Sequence, residues 1–195
     1  MIAFAAVLAL SALVAWIAAG GVRRSAQIYL RFACVLYATL AASAAFLIAP
    51  DAVAAIASTL AIALLTLASF IGFRREPNPV LGAIVLVTAC VGGIWSAATG
   101  VAGLAVLPQI LCLIAVLTVT RRGPAKLRGP GLYLALGCAA LLAAACSLLV
   151  QEAHVALLLF SAAGVLGVTY ALARASHVFE ERVDANRPFA IRRLR

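Results

Sequence analysis

Polar side chains that could do chemistry are scarce inside the long apolar stretches of this chain. Arg31 lies within one such stretch, where an ionisable side chain either marks a functional site or reaches back to a polar surface. A functional Arg31 would face the interior of the bundle and bind an anion or a lipid headgroup there, with Tyr29 or Tyr37 near it on the helix. Gln109 is a polar amide near the middle of another stretch, and Pro108 before it frees a backbone carbonyl one turn earlier. These five residues are candidates for lining a substrate pathway, and hydrogen bonding of Gln109 to a neighbouring helix is the structural alternative.

Carboxylates stand at the starts of two apolar stretches. Asp51 and Glu152 are each placed to cap free backbone N–H groups and to complement a helix dipole. Alternatively, the pair could line the mouth of a periplasmic opening. The two histidines, His154 and His177, lie at opposite ends of one stretch and cannot share a haem or a metal ion. We therefore predict no cofactor, no metal and no catalytic residue.

The composition explains why such residues are rare. Of 195 residues, 66% are apolar and 11% are charged, and the mean hydropathy is +1.16. Soluble domains contain about 45–50% apolar and about 25% charged residues. A water-soluble fold of this size could not bury so much hydrocarbon, which excludes a soluble enzyme, a secreted disulfide scaffold, a disordered tail and a nucleic-acid-binding domain. The five cysteines all lie in apolar stretches and are expected to be free thiols.

Seven apolar stretches are long enough to cross the roughly 30 Å hydrocarbon core of a bilayer. Short connections separate them, so consecutive helices should be antiparallel. We predict an all-α, polytopic transmembrane bundle of seven helices over residues 1–173, followed by a basic tail over residues 174–195. The predicted spans are 2–20, 26–48, 53–73, 80–98, 101–120, 132–150 and 155–173.

Positive charge alternates between the connections and predicts the orientation. All 15 basic residues fall in, or within two turns of, the first, third and fifth connections and the tail. Because basic connections stay on the cytoplasmic side, the N-terminus should be outside and the C-terminus inside. We expect a multi-pass protein of a bacterial-type inner (plasma) membrane, and the charge needs no nucleic-acid partner to explain it.

The tail is predicted to continue the seventh helix from Ser176 to Asn186 and to end it at Pro188. Beyond Pro188, basic side chains alternate with apolar ones, a pattern that favours contact with anionic lipids at the interface. The lipid-interface candidates are Arg192, Arg193 and Arg195.

A shift of 104 positions (133 − 29) relates the second helix to the sixth. It places Tyr29 on Tyr133, Cys34 on Cys138 and Ser43 on Ser147. The pattern suggests two parallel three-helix repeats joined by a fourth helix, an arrangement found in some transporters. Coincidence in an Ala- and Leu-rich sequence is the alternative.

The dipeptide Pro108-Gln109 resembles the Pro-Gln dipeptide of PQ-loop and SWEET-type transporters. The resemblance implies seven helices, an N-out and C-in topology and a three-plus-one-plus-three repeat. Those families carry a related dipeptide in the first helix, whereas Ala5 to Ile17 contains neither proline nor glutamine. The chain is therefore not assigned to them.

Small residues such as Ser161 to Gly164, followed by Gly167, predict close helix packing. Aromatic residues predicted to anchor helix ends at the interface are Trp16, Tyr37, Trp95 and Tyr170.

For function, the sequence favours a small-molecule permease or channel, because almost the whole chain is membrane-embedded. The alternatives are a non-catalytic subunit, anchor or assembly factor of a larger membrane complex, and, third, a lipid-modifying enzyme. Expected partners are the bilayer, including anionic lipids, and either a second copy of the chain or partner membrane subunits.

Overall fold

The computed structural model describes residues 1–48, 50–73, 79–121, 127–150 and 153–192, and within them all regular structure is helical. The predicted all-α fold with seven helices is confirmed. A short 3-10 turn, Ala19–Gly21, follows the first helix. The helices are α1 (Ile2–Ala18), α2 (Arg24–Phe46), α3 (Pro50–Gly72), α4 (Pro79–Thr99), α5 (Gly103–Arg121), α6 (Arg128–Ser147) and α7 (His154–Arg192).

Six of the seven helices are long and apolar enough to cross a membrane. In α5 the apolar stretch among the described residues is shorter and covers Gly103–Thr118. Helices suit such a sequence because a backbone in hydrocarbon must satisfy its hydrogen bonds internally. The chain therefore has the fold of an integral, multi-pass membrane protein.

The uncharged break between α4 and α5 depends on one glycine. Gly100 has a φ of +72°, a left-handed conformation that side chains rarely adopt. Its N–H group donates to the carbonyl of Ser96 at 2.9 Å, which closes the last turn of α4. The prediction that residues 80–120 form two helices is thereby confirmed.

Six helices form a ring in the order α1, α2, α3, α5, α6, α7, with α7 back against α1. Helix α4 lies outside the ring against α3 and α5, while α3 and α7 also contact each other across the ring. Apart from the contacts of α4, replacing α1, α2 and α3 by α5, α6 and α7 reproduces the order of neighbours in the ring. The first three and the last three helices therefore have the same pattern of neighbours.

The starts of the helices repeat in the same way. Helix α6 begins 104 residues after α2 (128 − 24), and α7 begins 104 residues after α3 (154 − 50). The same shift relates buried positions. The matched pairs are Leu30 and Leu134, Cys34 and Cys138, Tyr37 and Leu141, Ala54 and Leu158, Ala61 and Val165, and Ala68 and Leu172. The helix starts and the buried positions therefore follow the same 104-residue shift as the sequence, and the three-plus-one-plus-three repeat stays a prediction.

Helices α6 and α7 approach most closely at glycines. A Cβ atom added to Gly137 would lie 2.8 Å from the backbone nitrogen of Val168, and one added to Gly167 would lie 2.9 Å from the Cα of Gly137. These distances leave no room for a side chain, so the predicted close packing of small residues is confirmed at this pair.

Two local predictions were wrong. Helix α7 does not end at Pro188 but continues to Arg192, because the fixed φ of proline is itself helical and only one backbone hydrogen bond is lost. Tyr37 is not an interfacial anchor, since it lies in the middle of α2 and only 1% of it is exposed.

We name the two ends of the bundle by their residues. The arginine end carries Arg23, Arg24, Arg128 and Arg174, and there the N–H group of Arg23 donates to Ser176 Oγ at 3.3 Å. The Asp51 end carries the first turn of α3 and the other helix ends on that side.

Candidate functional site: the cavity at the Asp51 end

A cavity of about 760 Å³ opens at the Asp51 end between five helices. The first turns of α3, α5 and α7 and the last turns of α4 and α6 surround it. Its polar lining side chains include Asp51, Ser96, Ser147 and His154. Cavities of about 300–1,000 Å³ suit small molecules. The described residues that line this cavity include no lysine or arginine.

Asp51 and His154 face each other at this cavity. The distance from Asp51 Oδ1 to His154 Nε2 is 3.7 Å, and the side chains are 87% and 37% exposed. The contact is an ion pair only when the imidazole is protonated. The sequence analysis paired Asp51 with Glu152, which lies outside the described residues. His154 was considered only as a metal ligand. The 104-residue shift nevertheless aligns position 154 with position 50, which is next to Asp51 in the sequence.

A buried group of polar side chains, which we call the Gln109 cluster, consists of Gln109, Ser58 and Thr59. Gln109 Nε2 donates to Ser58 Oγ at 3.1 Å and to Thr59 Oγ1 at 2.9 Å. The two hydroxyls donate in turn to the carbonyls of Ala54 and Ala55, one turn back along α3. Gln109 is only 1% exposed, so the cluster is an interhelical polar contact within the apolar core.

The carbonyl oxygen of the Gln109 amide has no hydrogen-bond partner among the described residues. This atom, Oε1, is buried. Leaving a buried acceptor unpaired costs about 1–3 kcal/mol, so such an atom calls for an explanation. An external donor, from a water molecule or a bound solute, would satisfy it.

The Gln109 cluster lies one helical turn below the cavity floor. Ala54, Ala55 and Ala105 line the cavity, and each precedes a member of the cluster by four residues. Four residues of helix advance about 6 Å along the axis. The Gln109 cluster is therefore separated from the cavity lining by about one turn of helix.

Pro108 has a positioning role in α5. It lacks the N–H group that would bond to the carbonyl of Leu104. Gly92 of α4 packs on that carbonyl, since an added Cβ would lie 2.8 Å from the Leu104 oxygen and 3.0 Å from Pro108 Cγ. The carbonyl of Leu104, which Pro108 leaves without its helical hydrogen bond, thus faces the backbone of α4. This contact determines how closely α4 and α5 pack.

The other three pathway candidates lie on α2 and do not line this cavity. Arg31 stacks on Trp16 of α1, with 5.3 Å between its guanidinium carbon and the ring centroid. Tyr29 is half-buried against the core, and the buried hydroxyl of Tyr37 has no hydrogen-bond partner among the described residues. None of the five pathway candidates lines the cavity. Gln109 and Pro108 lie on α5, about one helical turn beyond the lining residue Ala105, and the other three lie on α2, which contributes no lining residue.

Of the lipid-interface candidates, Arg192 is the last residue of α7, while Arg193 and Arg195 lie outside the described residues. Sequence reasoning missed Ser58 and Thr59. The signal for them was two adjacent hydroxyl residues in the middle of an apolar helix.

Helices α3 and α7 are in direct contact near the arginine end. Gly72 of α3 lies against Leu172 of α7, and an added Cβ on Gly72 would be 4.0 Å from the Cβ of Leu172. Ala68 on α3 and Val168 and Ala171 on α7 are also buried. The residues that line the cavity lie at the Asp51 end of the bundle.

The fold and this site define a polytopic helical membrane protein with a cavity at the Asp51 end and a buried polar cluster between α3 and α5. No protein-family model, curated protein sequence or solved structure matches the chain.

Proposed function

We propose that the protein is a small-molecule permease whose solute site is the cavity at the Asp51 end together with the Gln109 cluster. The observation that carries the proposal is the unpaired Gln109 Oε1 atom directly below a cavity of about 760 Å³. A purely structural amide would be expected to have both halves paired. An acceptor left free beneath an open cavity is suited to a ligand that donates a hydrogen bond.

The proposed orientation is N-out and C-in, in an inner (plasma) membrane of bacterial type. The positive-inside rule supports it, since the arginine end carries Arg23, Arg24, Arg128 and Arg174 while the other end carries Asp51. In this orientation the cavity opens to the outside. The protein is then in an outward-facing state.

The lining favours solutes that carry hydrogen-bond donors. The Asp51 carboxylate and the Gln109 carbonyl oxygen both accept hydrogen bonds, and no cation of an arginine or lysine is present among the described lining residues to attract an anion. We therefore propose uncharged polyols or small amines rather than anions as the solute class.

Passage requires the packed segment between α3 and α7 to open at the arginine end. In the proposed three-plus-one-plus-three arrangement, α3 and α7 belong to different three-helix repeats. Rocking of one repeat against the other would separate Gly72 from Leu172 and expose the Gln109 cluster to the inside.

A test that needs no knowledge of the solute uses cysteine accessibility. In a variant with all five native cysteines replaced by alanine, Ser58→Cys places one thiol at the Gln109 cluster. A membrane-impermeant cationic methanethiosulfonate is added to two vesicle preparations that contain the protein in opposite orientations. The orientation in each preparation is measured by protease cleavage of a C-terminal tag. We expect labelling from both sides, because a permease exposes its site alternately.

The matched control is Ala33→Cys, which is equally buried in α2 and away from the cavity, and which should not be labelled. Labelling of Ser58→Cys from the Asp51 side alone, or from neither side, would contradict a permease. Such a result would favour a non-catalytic subunit.

A further inference from the structure

Arg31 of α2 lies against Trp16 of α1 at the outer surface of the bundle, on the side of the arginine end. The guanidinium carbon of Arg31 lies 5.3 Å from the centroid of the Trp16 ring. Trp16 is 39% exposed, and Ile28 and Phe32, which flank Arg31 on α2, are 55% and 61% exposed. In a membrane these exposed apolar side chains contact lipid, so Arg31 lies at the lipid-facing surface rather than at the solute cavity.

Among the side chains that the structure describes, Arg31 has no counterion. No carboxylate there forms a salt bridge with it, and its buried Nε atom has no hydrogen-bond partner. The ring of Trp16 attracts a cation but supplies neither a negative charge nor an acceptor for the guanidinium N–H groups. A phosphate group would supply both the negative charge and the acceptors.

The position of Arg31 suits an anion at the membrane interface. It follows Arg24, the first residue of α2, by two helical turns, or about 10 Å. Side chains on a helix lean towards its N-terminus, so the guanidinium of Arg31 points back towards Arg24 and the membrane surface. Seven residues apart, Arg24 and Arg31 lie on the same face of α2.

We propose that the surface formed by Arg31, Arg24 and Trp16 binds the phosphate of an anionic lipid in the leaflet at the arginine end. Arg31 would hold two phosphate oxygens through parallel N–H groups, Arg24 would contribute its charge nearer the surface, and Trp16 fixes the plane of the guanidinium. The site is confined to the first repeat, because the position equivalent to Arg31 in α6 is Ala135. It is independent of the proposed solute site.

The test uses Trp16 as the reporter in the purified full-length chain. Trp95→Phe removes the other tryptophan, which lies on α4. Brominated phosphatidylglycerol or brominated phosphatidylcholine is then added in detergent micelles. We expect phosphatidylglycerol to quench the Trp16 fluorescence at least about fivefold more effectively than phosphatidylcholine, and Arg31→Gln to abolish the difference.

Two further variants keep the test decisive. Arg31→Lys retains the charge without the paired N–H groups, so the preference for phosphatidylglycerol should be weakened rather than lost. This variant replaces Arg31→Gln in the test if Arg31→Gln fails to fold. Arg128→Gln removes the repeat equivalent of Arg24 and should leave the preference unchanged. Equal quenching by the two lipids, or an unchanged preference in Arg31→Gln, would overturn the proposal.

The source of the phosphate is tested with inorganic phosphate alone. Millimolar phosphate should not displace brominated phosphatidylglycerol from a lipid site, because the acyl chains add binding energy that the free ion lacks. Displacement by phosphate would overturn the lipid assignment and identify a site for the free anion.

Discussion

At the scale of single residues, the two halves of the Gln109 amide differ. The nitrogen donates to the hydroxyls of Ser58 and Thr59, and the oxygen is buried without a donor. Both hydroxyls already bond to carbonyls of their own helix, so they do not depend on Gln109 to satisfy their own donors. The hydrogen bonds that hold α3 and α5 together use only the amide nitrogen of Gln109. The unpaired amide oxygen adds nothing to this contact.

This asymmetry predicts the behaviour of Gln109→Leu. The substitution removes a hydrogen-bond donor and an unpaired acceptor together, so the free energy of unfolding should change by less than about 1 kcal/mol. Uptake of polyols or amines into proteoliposomes should be lost. Thermal unfolding in detergent and uptake by the same preparation measure the two effects.

The opposite outcome, a large fall in the melting temperature with uptake retained, would show that Gln109 is structural. Thr118→Val is the control, because Thr118 is an exposed residue of the same helix whose hydroxyl bonds to the carbonyl of Ala115. It should change neither quantity.

The sequence identified Gln109 because a polar amide in an apolar helix is conspicuous. Its partners were not predictable, since Ser58 and Thr59 can satisfy their hydroxyls within α3 and give no sign of a distant contact. The approach of His154 to Asp51 was missed for a related reason, because it depends on how α7 packs beside α3.

At the scale of helices, glycine determines where the backbones approach. Gly137 and Gly167 face each other between α6 and α7, with no space for a Cβ on either. In lipid, where the hydrophobic effect between helices is weak, such close packing is a main source of association. The α6–α7 pair should therefore be sensitive to any side chain at these positions.

Gly167→Val should lower the free energy of unfolding by about 1–3 kcal/mol, because the added atoms force α6 and α7 apart. Gly129→Ala is the matched control, since Gly129 lies on α6 with open space around it and should be neutral or slightly stabilising. Thermal unfolding of both variants in the same detergent gives the comparison. Equal melting temperatures would contradict the packing described here.

Most helix positions could be predicted from the apolar stretches, because the thickness of a bilayer limits the length of each span. The ends were less predictable. Helix α7 runs through Pro188, and α6 starts four residues before its predicted span, since neither proline nor loss of hydrophobicity is sufficient to stop a helix. The central position of Tyr37 in α2 shows that an aromatic residue is no marker of an interface by itself.

At the scale of the whole molecule, the two proposed three-helix repeats meet at α3 and α7. The cavity opens at the Asp51 end, and Gly72 lies against Leu172 near the arginine end. The repeat was suggested by the 104-residue shift, but three matched residues could not establish it. The order of the helices around the ring and the matching buried positions depend on how the helices pack. This packing cannot be read from the sequence.

The central claim is that α3 and α7 separate at the arginine end during each cycle of solute passage. A pair of cysteines, Gly72→Cys and Leu172→Cys, tests it in a background without the native cysteines. The Cβ separation of 4.0 Å lies within the range of about 3.5–4.5 Å that a disulfide requires. Oxidation should therefore join the two helices.

The decisive measurement is solute uptake by proteoliposomes of this double variant, first oxidised with copper phenanthroline and then reduced with dithiothreitol. We expect oxidation to abolish uptake of polyols or amines and reduction to restore it, while each single-cysteine variant is unaffected by either reagent. Equal uptake by the oxidised and reduced protein, with the disulfide verified by mass spectrometry, would show that α3 and α7 do not need to separate.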